Sequence, residues 1–400
     1  MGTMDSQIRL QGERYRWPVS DKELNRRLTS FQNILKKLEI DCAISQSQST
    51  VLDGVIRYFV DQTTGLYSSS LMIPSEGDMT YLCHGNDNDN APIPDSIRNV
   101  GKLIFKPYCQ MFDFTDKMEA ETMAKEIKSH GYKRIGLLCP KLMSYDYVAG
   151  MKNLLPDAEF IDVSREFYEL RSVKSEEEWK LIDKSMEVHD RLMYMVPAIL
   201  KPGIMEYELR SELARACVNL GCDSAAFIAV GSGEQGQRAQ YTAHFASNRR
   251  INSGDNVCVM IEICGPGGIY GELARTFCLG QPGDSIIKLF DIAKGCQKAI
   301  AEVAKPDVTG AEVNKVFDEY VGRYGIGPNM RFAGHGMGYD MMEAPAINAN
   351  ETMKFQENGY VALHPELVIG NEFVTCSDNF RITKEGAKRL SKVPQEIICL

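Results

Sequence analysis

Two strand-like segments joined by a glycine-rich turn are the strongest constraint on how the second half of this 400-residue chain folds. The run Val257–Cys264 is apolar except for Glu262, and Tyr270–Phe277 follows it after the turn 265–268, Gly-Pro-Gly-Gly. This pattern predicts a β-hairpin, which would bring Glu262 and Glu272 close together on neighbouring strands. A carboxylate in an apolar strand must be paired, protonated or on an open face, because burying it bare is costly.

Two arrangements satisfy these carboxyl groups. In the first, they form structural ion pairs, Glu272 with Arg275 and Glu262 with Arg249 or Arg250. In the second, both carboxyl groups belong to a functional site. The residues alone leave both arrangements open.

The two halves of the chain differ in how their predicted elements are ordered. Up to about residue 165, helical and strand-like patterns alternate, which predicts an α/β domain with a largely buried sheet over residues 1–168. Ser175 and Glu178 then form a capping-box pattern ahead of a long helix, 176–199. Beyond it the helical and strand-like segments are segregated. Residues 169–400 are therefore predicted to form an α+β domain with an antiparallel sheet.

Composition excludes several classes of partner. The formal net charge of −9 is spread along the chain, which argues against nucleic acid or an anionic membrane surface. The sequence has no run of roughly 20 apolar residues that could span a bilayer, and its N-terminus lacks the apolar core of a signal segment. The twelve cysteines include no Cys-x-x-Cys pair. We expect a cytoplasmic protein that acts on a small molecule.

Three of the six histidines lie in the second half beside strand-like or glycine-rich sequence. His335 stands in Gly-His-Gly-Met-Gly, where the glycines allow the backbone to approach whatever the imidazole touches. His244 precedes a polar loop, and His364 ends an apolar run just before Pro365. A histidine in such a place is a candidate metal ligand or a candidate acid/base near neutral pH.

The order of these motifs resembles the creatinase/aminopeptidase-P superfamily of M24-like peptidases. The motifs are a histidine in a loop, an acidic strand, a glycine turn, acid-x-x-Arg-Thr at Glu272, Gly-His-Gly-x-Gly, and a final strand beginning near Ser377. The linker 168–175 and a creatinase-like N-terminal α/β domain extend the resemblance to nearly the full chain. It implies a pita-bread fold for the catalytic domain and a homodimer. The segments near 57–59 and 63–65 would then either complete the partner's active site or form a buried strand edge of the N-terminal domain.

The peptidases of this superfamily hold two divalent metals with five carboxylate and histidine side chains. The matching positions in this chain are Glu262, Glu272, His335, His364 and Ser377. A serine and a histidine stand where carboxylates are usual, and bridged metal pairs need several carboxylate oxygens. We therefore expect no metal cofactor. A single divalent metal bound by the two glutamates and the two histidines is the alternative.

The resemblance to the metal-free members implies hydrolysis of a C–N bond in a small polar or charged substrate, as in creatinase or ectoine hydrolase. His244 matches their catalytic histidine and is assigned the acid/base role, while His335 and His364 would hold an oxyanion or a substrate carboxylate. The two glutamates would bind a cationic nitrogen or orient the histidines. Further residues expected to contact the substrate are Tyr270, Tyr339 and Ser377.

Three other functions stay open. The first is a metal-dependent Xaa-Pro dipeptidase or aminopeptidase. The second is a lyase of the dimethylsulfoniopropionate-lyase type, and the third is a catalytically inactive binding module.

Overall fold

The computed structural model describes residues 17–48, 54–62, 67–107, 114–241, 247–328 and 332–400, with the backbone alone at 225 and 226. The chain divides into two compact units, Met1–Arg171 and Ser172–Leu400. The predicted boundary at 168/169 falls inside the helix Ser164–Ser172, close to this division.

The first unit is an α/β domain, as the alternating pattern predicts. Its helices, numbered from the N-terminus, are α1 (Asp21–Lys37), α2 (Gly54–Val60), α3 (Phe114–His130), α4 (Tyr145–Leu154) and α5 (Ser164–Ser172). Helix α1 begins where the Ser20 hydroxyl accepts a hydrogen bond from the backbone N–H of Glu23. The apolar stripe of α1, which includes Leu24, Phe31 and Leu35, is buried.

A seven-stranded mixed sheet forms the centre of this unit. Its strands are β1 (Cys42–Ser47), β2 (Ser69–Pro74), β3 (Met79–His84), β4 (Asn88–Ala91), β5 (Val100–Lys106), β6 (Arg134–Leu137) and β7 (Glu159–Asp162). Their order across the sheet is β4-β5-β3-β2-β1-β6-β7. Strands β1 and β6 pair in parallel, while β1 and β2 pair antiparallel. Residues from this sheet and from α3 and α4 share one apolar core.

The second unit is an α+β domain. Its helices are α6 (Glu176–Ile199), α7 (Glu206–Asn219), α8 (Asp284–Val303) and α9 (Gly310–Gly322). The predicted capping box is present at the start of α6, where Ser175 and Glu178 exchange side-chain and backbone hydrogen bonds. Among the described residues, no helix combines the length and apolar character that crossing a bilayer requires.

Within the described residues, three small sheets accompany these helices. One contains β8 (Ser224–Gly233), β9 (Asn256–Cys264), β10 (Tyr270–Cys278) and β18 (Ile398–Cys399), in the order β18-β10-β9-β8. A second contains β11 (Gly334–Gly336), β12 (Glu343–Ala346), β13 (Tyr360–Leu363), β16 (Asp378–Thr383) and β17 (Gly386–Arg389), in the order β12-β11-β13-β16-β17. Strands β14 (Glu366–Ile369) and β15 (Glu372–Thr375) form the third.

The first two of these sheets are joined between β10 and β16. Ala274 and Ser377 form an isolated antiparallel bridge, and the Arg275 guanidinium donates to the Asp378 carboxylate at 2.7 Å. Both members of this ion pair are fully buried. A paired, hydrogen-bonded charge is tolerated in the interior, whereas removing one partner leaves a costly buried charge. The junction therefore holds the hairpin β9–β10 close to the strands that carry His335 and His364.

Candidate metal centre

The predicted hairpin is formed, and it places Glu262 directly opposite Glu272 in the antiparallel pair β9–β10. Side chains of directly opposed residues project from the same face of a sheet, with their Cβ atoms about 5 Å apart. Glu262 is 7 % exposed and Glu272 is 3 % exposed. The sheet therefore brings two carboxyl groups together in a buried environment.

The ion pairs considered for these glutamates are not formed within the described part of the chain. Arg275 binds Asp378, and Arg249 binds Asp255 at 2.6 Å. Arg250 donates to the backbone carbonyl of Gly203. These three arginines therefore bind other groups, and the second arrangement, in which both glutamates belong to a functional site, remains.

The glycines beside His335 are required by the close approach of neighbouring strands. A Cβ added at Gly334 would lie 2.3 Å from the carbonyl oxygen of Ala362, and one at Gly336 would lie 2.4 Å from that of Ala344. Such contacts with backbone atoms are too short for any side chain. The Gly-His-Gly pattern therefore lets β11 fit between β12 and β13 with the His335 imidazole inside the site.

The hydrogen bonds of His335 select the tautomer of its neutral ring. Its Nδ1 lies 2.9 Å from the carbonyl oxygen of Gly336, which can only accept, so Nδ1 carries the hydrogen in the neutral ring. Nε2 then presents a lone pair, and the Glu272 Oε2 atom lies 3.5 Å from it. Two lone pairs facing each other repel unless a proton or a metal cation lies between them. This is the tautomer in which a histidine binds a metal through Nε2.

His364 completes the group at the end of β13. Its ring centroid lies 5.3 Å from that of His335, and the Phe332 ring packs edge-on against both. Burial lowers the pKa of His364, and the nearby Glu272 offsets this only in part. A neutral imidazole results. Among the described residues, its Nε2 atom has no hydrogen-bond partner.

Glu272, His335 and His364 each offer one ligand atom, and these three atoms lie within 4.8 Å of one another. Two imidazoles and one carboxylate form the ligand set of many catalytic zinc sites and of mononuclear iron sites. His364 Nε2 is buried without a hydrogen-bond partner in the described chain, as expected where an ion binds. These residues fit one divalent cation.

A pair of ions fits the described residues less well than a single ion. Ser377, which by the resemblance stands at a position where a carboxylate is usual, is fully buried. Its hydroxyl donates a short hydrogen bond to Glu272 Oε1. The serine thus uses one of the Glu272 oxygens and supplies no carboxylate of its own, so the described residues offer few donors for a bridged pair.

The two glutamates differ in their tendency to ionise. Burial alone would raise the pKa of Glu272, but attraction to His364 and His335 in their protonated forms and the Ser377 hydroxyl outweigh burial, and the pKa is lowered. Burial raises the pKa of Glu262 well above its usual range, and the charges of Glu272 and Glu366 add to this effect. Of the two carboxyl groups, Glu272 therefore ionises more readily, and Glu262 keeps its proton to higher pH.

The structure describes two of the other predicted site residues, Tyr270 and Tyr339. Tyr270 and Tyr339 are each 1 % exposed, and the backbone N–H of Tyr270 donates to the Gly338 carbonyl at 2.8 Å. Their assignment to the substrate pocket stays a prediction. His244 lies outside the described residues.

Two residues near the site were missed by the sequence reasoning. Glu366 lies two positions beyond His364, and its carboxylate accepts a short hydrogen bond from the Tyr241 hydroxyl. Asn379 is fully buried and accepts a hydrogen bond from the backbone N–H of Glu272 at 2.7 Å. The sequence gives one indication of each residue, which is its closeness to a candidate residue. Glu366 lies two positions after His364, and Asn379 lies two positions after Ser377.

Comparison with known protein families gives two matches. Residues 180–384 match metallopeptidase family M24, and residues 27–173 match the creatinase/prolidase N-terminal domain. An uncharacterized peptidase, YqhT of Bacillus subtilis, is 27% identical over 94% of this chain and 100% of its own length. A Xaa-Pro dipeptidase of Pyrococcus horikoshii is 27% identical over 67% of this chain and 76% of its own length.

Solved structures show the same fold. An X-Pro aminopeptidase from Thermotoga maritima superimposes with a TM-score of 0.78 at 20% identity, over 94% of this chain and 99% of the other. The prolidase from Pyrococcus horikoshii gives a TM-score of 0.76 at 21% identity, over 93% and 100%. At these identities the likeness extends to the fold alone.

Proposed function

Because the chain belongs to metallopeptidase family M24 and carries the creatinase/prolidase N-terminal domain, we propose that it hydrolyses the amide bond of a short peptide with one divalent cation. Its family is one of hydrolases that act on C–N bonds. The observation that carries the proposal is the buried cluster of Glu272, His335 and His364. The relatives named Xaa-Pro dipeptidases support Xaa-Pro dipeptides as the first substrates to test.

The sequence alone favoured a site without metal, and neither the cluster nor the family supports that expectation. His335 and His364 were expected to contact an oxyanion or a substrate carboxylate. We assign them instead to the cation, because a Nε2 lone pair of His335 faces the Glu272 carboxylate and the His364 Nε2 is unpartnered in the described chain. Glu272 supplies the negative charge of the ligand set.

A divalent cation held there would supply Lewis acidity, which polarises a scissile carbonyl and activates water. Glu262 is the proton carrier in this proposal, because its Oε1 atom has no hydrogen-bond partner in the described chain and its pKa is raised. A carboxyl group with a raised pKa can take a proton from water and return it to the leaving nitrogen. Ser377 and its hydrogen bond hold Glu272 in one orientation.

The proposal is tested by metal analysis together with product analysis. The purified chain is expected to contain one divalent ion and to lose Xaa-Pro hydrolysis on chelation, with recovery at one equivalent of Zn²⁺, Mn²⁺ or Co²⁺. Reaction in ¹⁸O-water should place one label in the product carboxylate. Full turnover by metal-free protein would support the creatinase-like or ectoine-hydrolase-like function. An unlabelled alkene product would instead identify a lyase.

Two further properties expected from the sequence are also proposals. The resemblance supports a homodimer, and light scattering on the full-length chain would measure its mass in solution. The composition supports a cytoplasmic location, which fractionation of the source cells would test.

A further inference from the structure

Asn379 lies in β16 and is fully buried. Its side chain makes hydrogen bonds to three different parts of the second unit. Its Oδ1 atom accepts from the backbone N–H of Glu272 at 2.7 Å. Its Nδ2 atom lies 2.9 Å from Met337 Sδ and 3.5 Å from the Val361 carbonyl oxygen.

Each partner is close in sequence to one residue of the candidate metal cluster. The first partner is Glu272 itself. Met337 follows His335 by two residues, and Val361 precedes His364 by three residues in β13. One carboxamide therefore connects the three backbone segments that supply the ligands.

The orientation of this carboxamide is determined by its partners. The Glu272 N–H is a donor, so it requires an acceptor, whereas the Val361 carbonyl and the Met337 thioether require donors. A carboxamide provides one acceptor and two N–H donors on a single rigid plane. A carboxylate of the same shape would place oxygen against two acceptors. A hydroxyl has only one hydrogen to donate.

We propose that Asn379 is a positioning residue, which sets the spacing of Glu272, His335 and His364 and thereby the affinity of the site for a divalent cation. The inference rests on the proposed function, because it assumes that these three residues bind the cation. Metal ligands depend on such supporting hydrogen bonds, and losing one typically weakens metal binding about 10- to 100-fold. Asn379 itself does not touch the cation or the substrate.

Asn379→Asp tests the proposal, because it keeps the shape and replaces the two donors by an acceptor. Asn379→Thr is the conservative variant. It retains a hydroxyl that can accept from the backbone N–H of Glu272. Asn314→Asp is the matched control, since Asn314 is 2 % exposed and its side chain donates to Asp318 on the same helix, α9. Zn²⁺ affinity would be measured by chelator competition on metal-free, full-length protein.

Asn379→Asp is expected to weaken Zn²⁺ binding about tenfold or more, with Asn379→Thr in between and Asn314→Asp equal to the wild type. The visible spectrum of the Co²⁺-loaded protein should change in the Asn379 variants and not in the control. If Asn379→Asp does not fold, Asn379→Thr supplies the same comparison. Wild-type affinity and an unchanged Co²⁺ spectrum in the Asn379 variants would overturn the inference. Failure of the wild type to bind any metal would overturn the proposed function, and this inference with it.

Discussion

Glu262 and Glu272 lie directly opposite each other in one antiparallel strand pair, yet the pKa values of their carboxyl groups are displaced in opposite directions. Two adjacent buried carboxylates cannot both ionise readily, so the one with better partners takes the charge. Glu272 has the Ser377 hydroxyl and the two histidines, while Glu262 Oε1 has no hydrogen-bond partner in the described structure. In the proposed function, this asymmetry favours Glu272 for metal binding and Glu262 for proton transfer.

The two glutamates should therefore respond differently to the same substitution. Glu272→Gln should abolish stoichiometric Zn²⁺ binding, because it removes the only charged ligand of the cluster. Glu262→Gln should retain the ion and lose turnover by about 10²- to 10⁴-fold, the usual contribution of a general acid/base. Calorimetric metal titration and kcat on a Xaa-Pro dipeptide measure the two effects. Near-normal kcat in Glu262→Gln would remove this residue from the mechanism.

A carboxylate introduced at position 377 should make the stability of the chain depend on metal. Ser377 is fully buried beside Glu272, so Ser377→Glu would place two carboxyl groups together without a cation. Relative to Ser377→Gln, a neutral side chain of equal size, we expect the metal-free protein to lose about 3 kcal/mol or more. In thermal unfolding, saturating Mn²⁺ should remove the stability difference between Ser377→Glu and Ser377→Gln. A difference that persists in Mn²⁺ would show that the new carboxylate does not reach the ion.

The close packing around Gly336 predicts that a side chain at this position would shift strand β11 and, with it, His335. Gly336→Ala would bring a methyl group against the Ala344 carbonyl, which cannot move without separating β11 from β12. We expect a loss of about 1–3 kcal/mol and weaker metal binding, because His335 shifts with its strand. Gly322→Ala is the control, since nothing lies within 4 Å of an added Cβ at that helical position. It should be neutral or stabilising by up to about 1 kcal/mol. Equal effects in both variants would contradict the packing argument.

His244 remains the predicted acid/base on the substrate side, by its resemblance to the catalytic histidine of creatinase. His244→Ala is expected to lower kcat by about 10²- to 10⁴-fold and to leave Zn²⁺ affinity unchanged. His130→Ala serves as the control, because His130 is an exposed residue at the end of α3 in the first unit. A loss of metal instead of turnover would make His244 a ligand.

The first unit contains a buried carboxylate that should make its stability depend on pH. Burial alone would raise the pKa of Glu119. Hydrogen bonds from His84, Ser68 and Gln46 outweigh burial, and the pKa is lowered. The ionised Glu119 therefore stabilises the folded first unit, and this stabilisation is fully present above the unfolded-state pKa of about 4.3. The stabilisation is lost as the pH falls through the lower pKa of Glu119 in the folded state.

Glu119→Gln should consequently lower the Tm most at neutral pH, and the difference from the wild type should shrink as the pH falls below about 4. Thermal unfolding followed by circular dichroism from pH 7 to pH 3 measures this. Glu121→Gln, at an exposed position on the same helix, should show a small difference that varies little with pH. A Glu119→Gln difference that stays constant to pH 3 would contradict the lowered pKa.

Much of the fold could be predicted because it depends on local patterns. The capping box at Ser175 and the helix that follows it were read correctly from spacing, as was the hairpin that opposes Glu262 to Glu272. The segments 359–369 and 372–383 each form two short strands. The interruption in the first lies at His364-Pro365, where proline lacks the N–H that a sheet requires.

The sequence by itself determined the secondary-structure classes, the family resemblance and the residue types available for chemistry. The tertiary structure alone decided which partner each charge has. Arg275 could bind Glu272 or Asp378, and only the junction of β10 with β16 directs it to Asp378. Because Arg275 binds Asp378, the Glu272 carboxylate lies beside His335 instead. Ion pairing depends on distances between strands that are far apart in sequence. Spacing along the chain specifies which residues share a strand face, whereas packing between sheets specifies which of them meet.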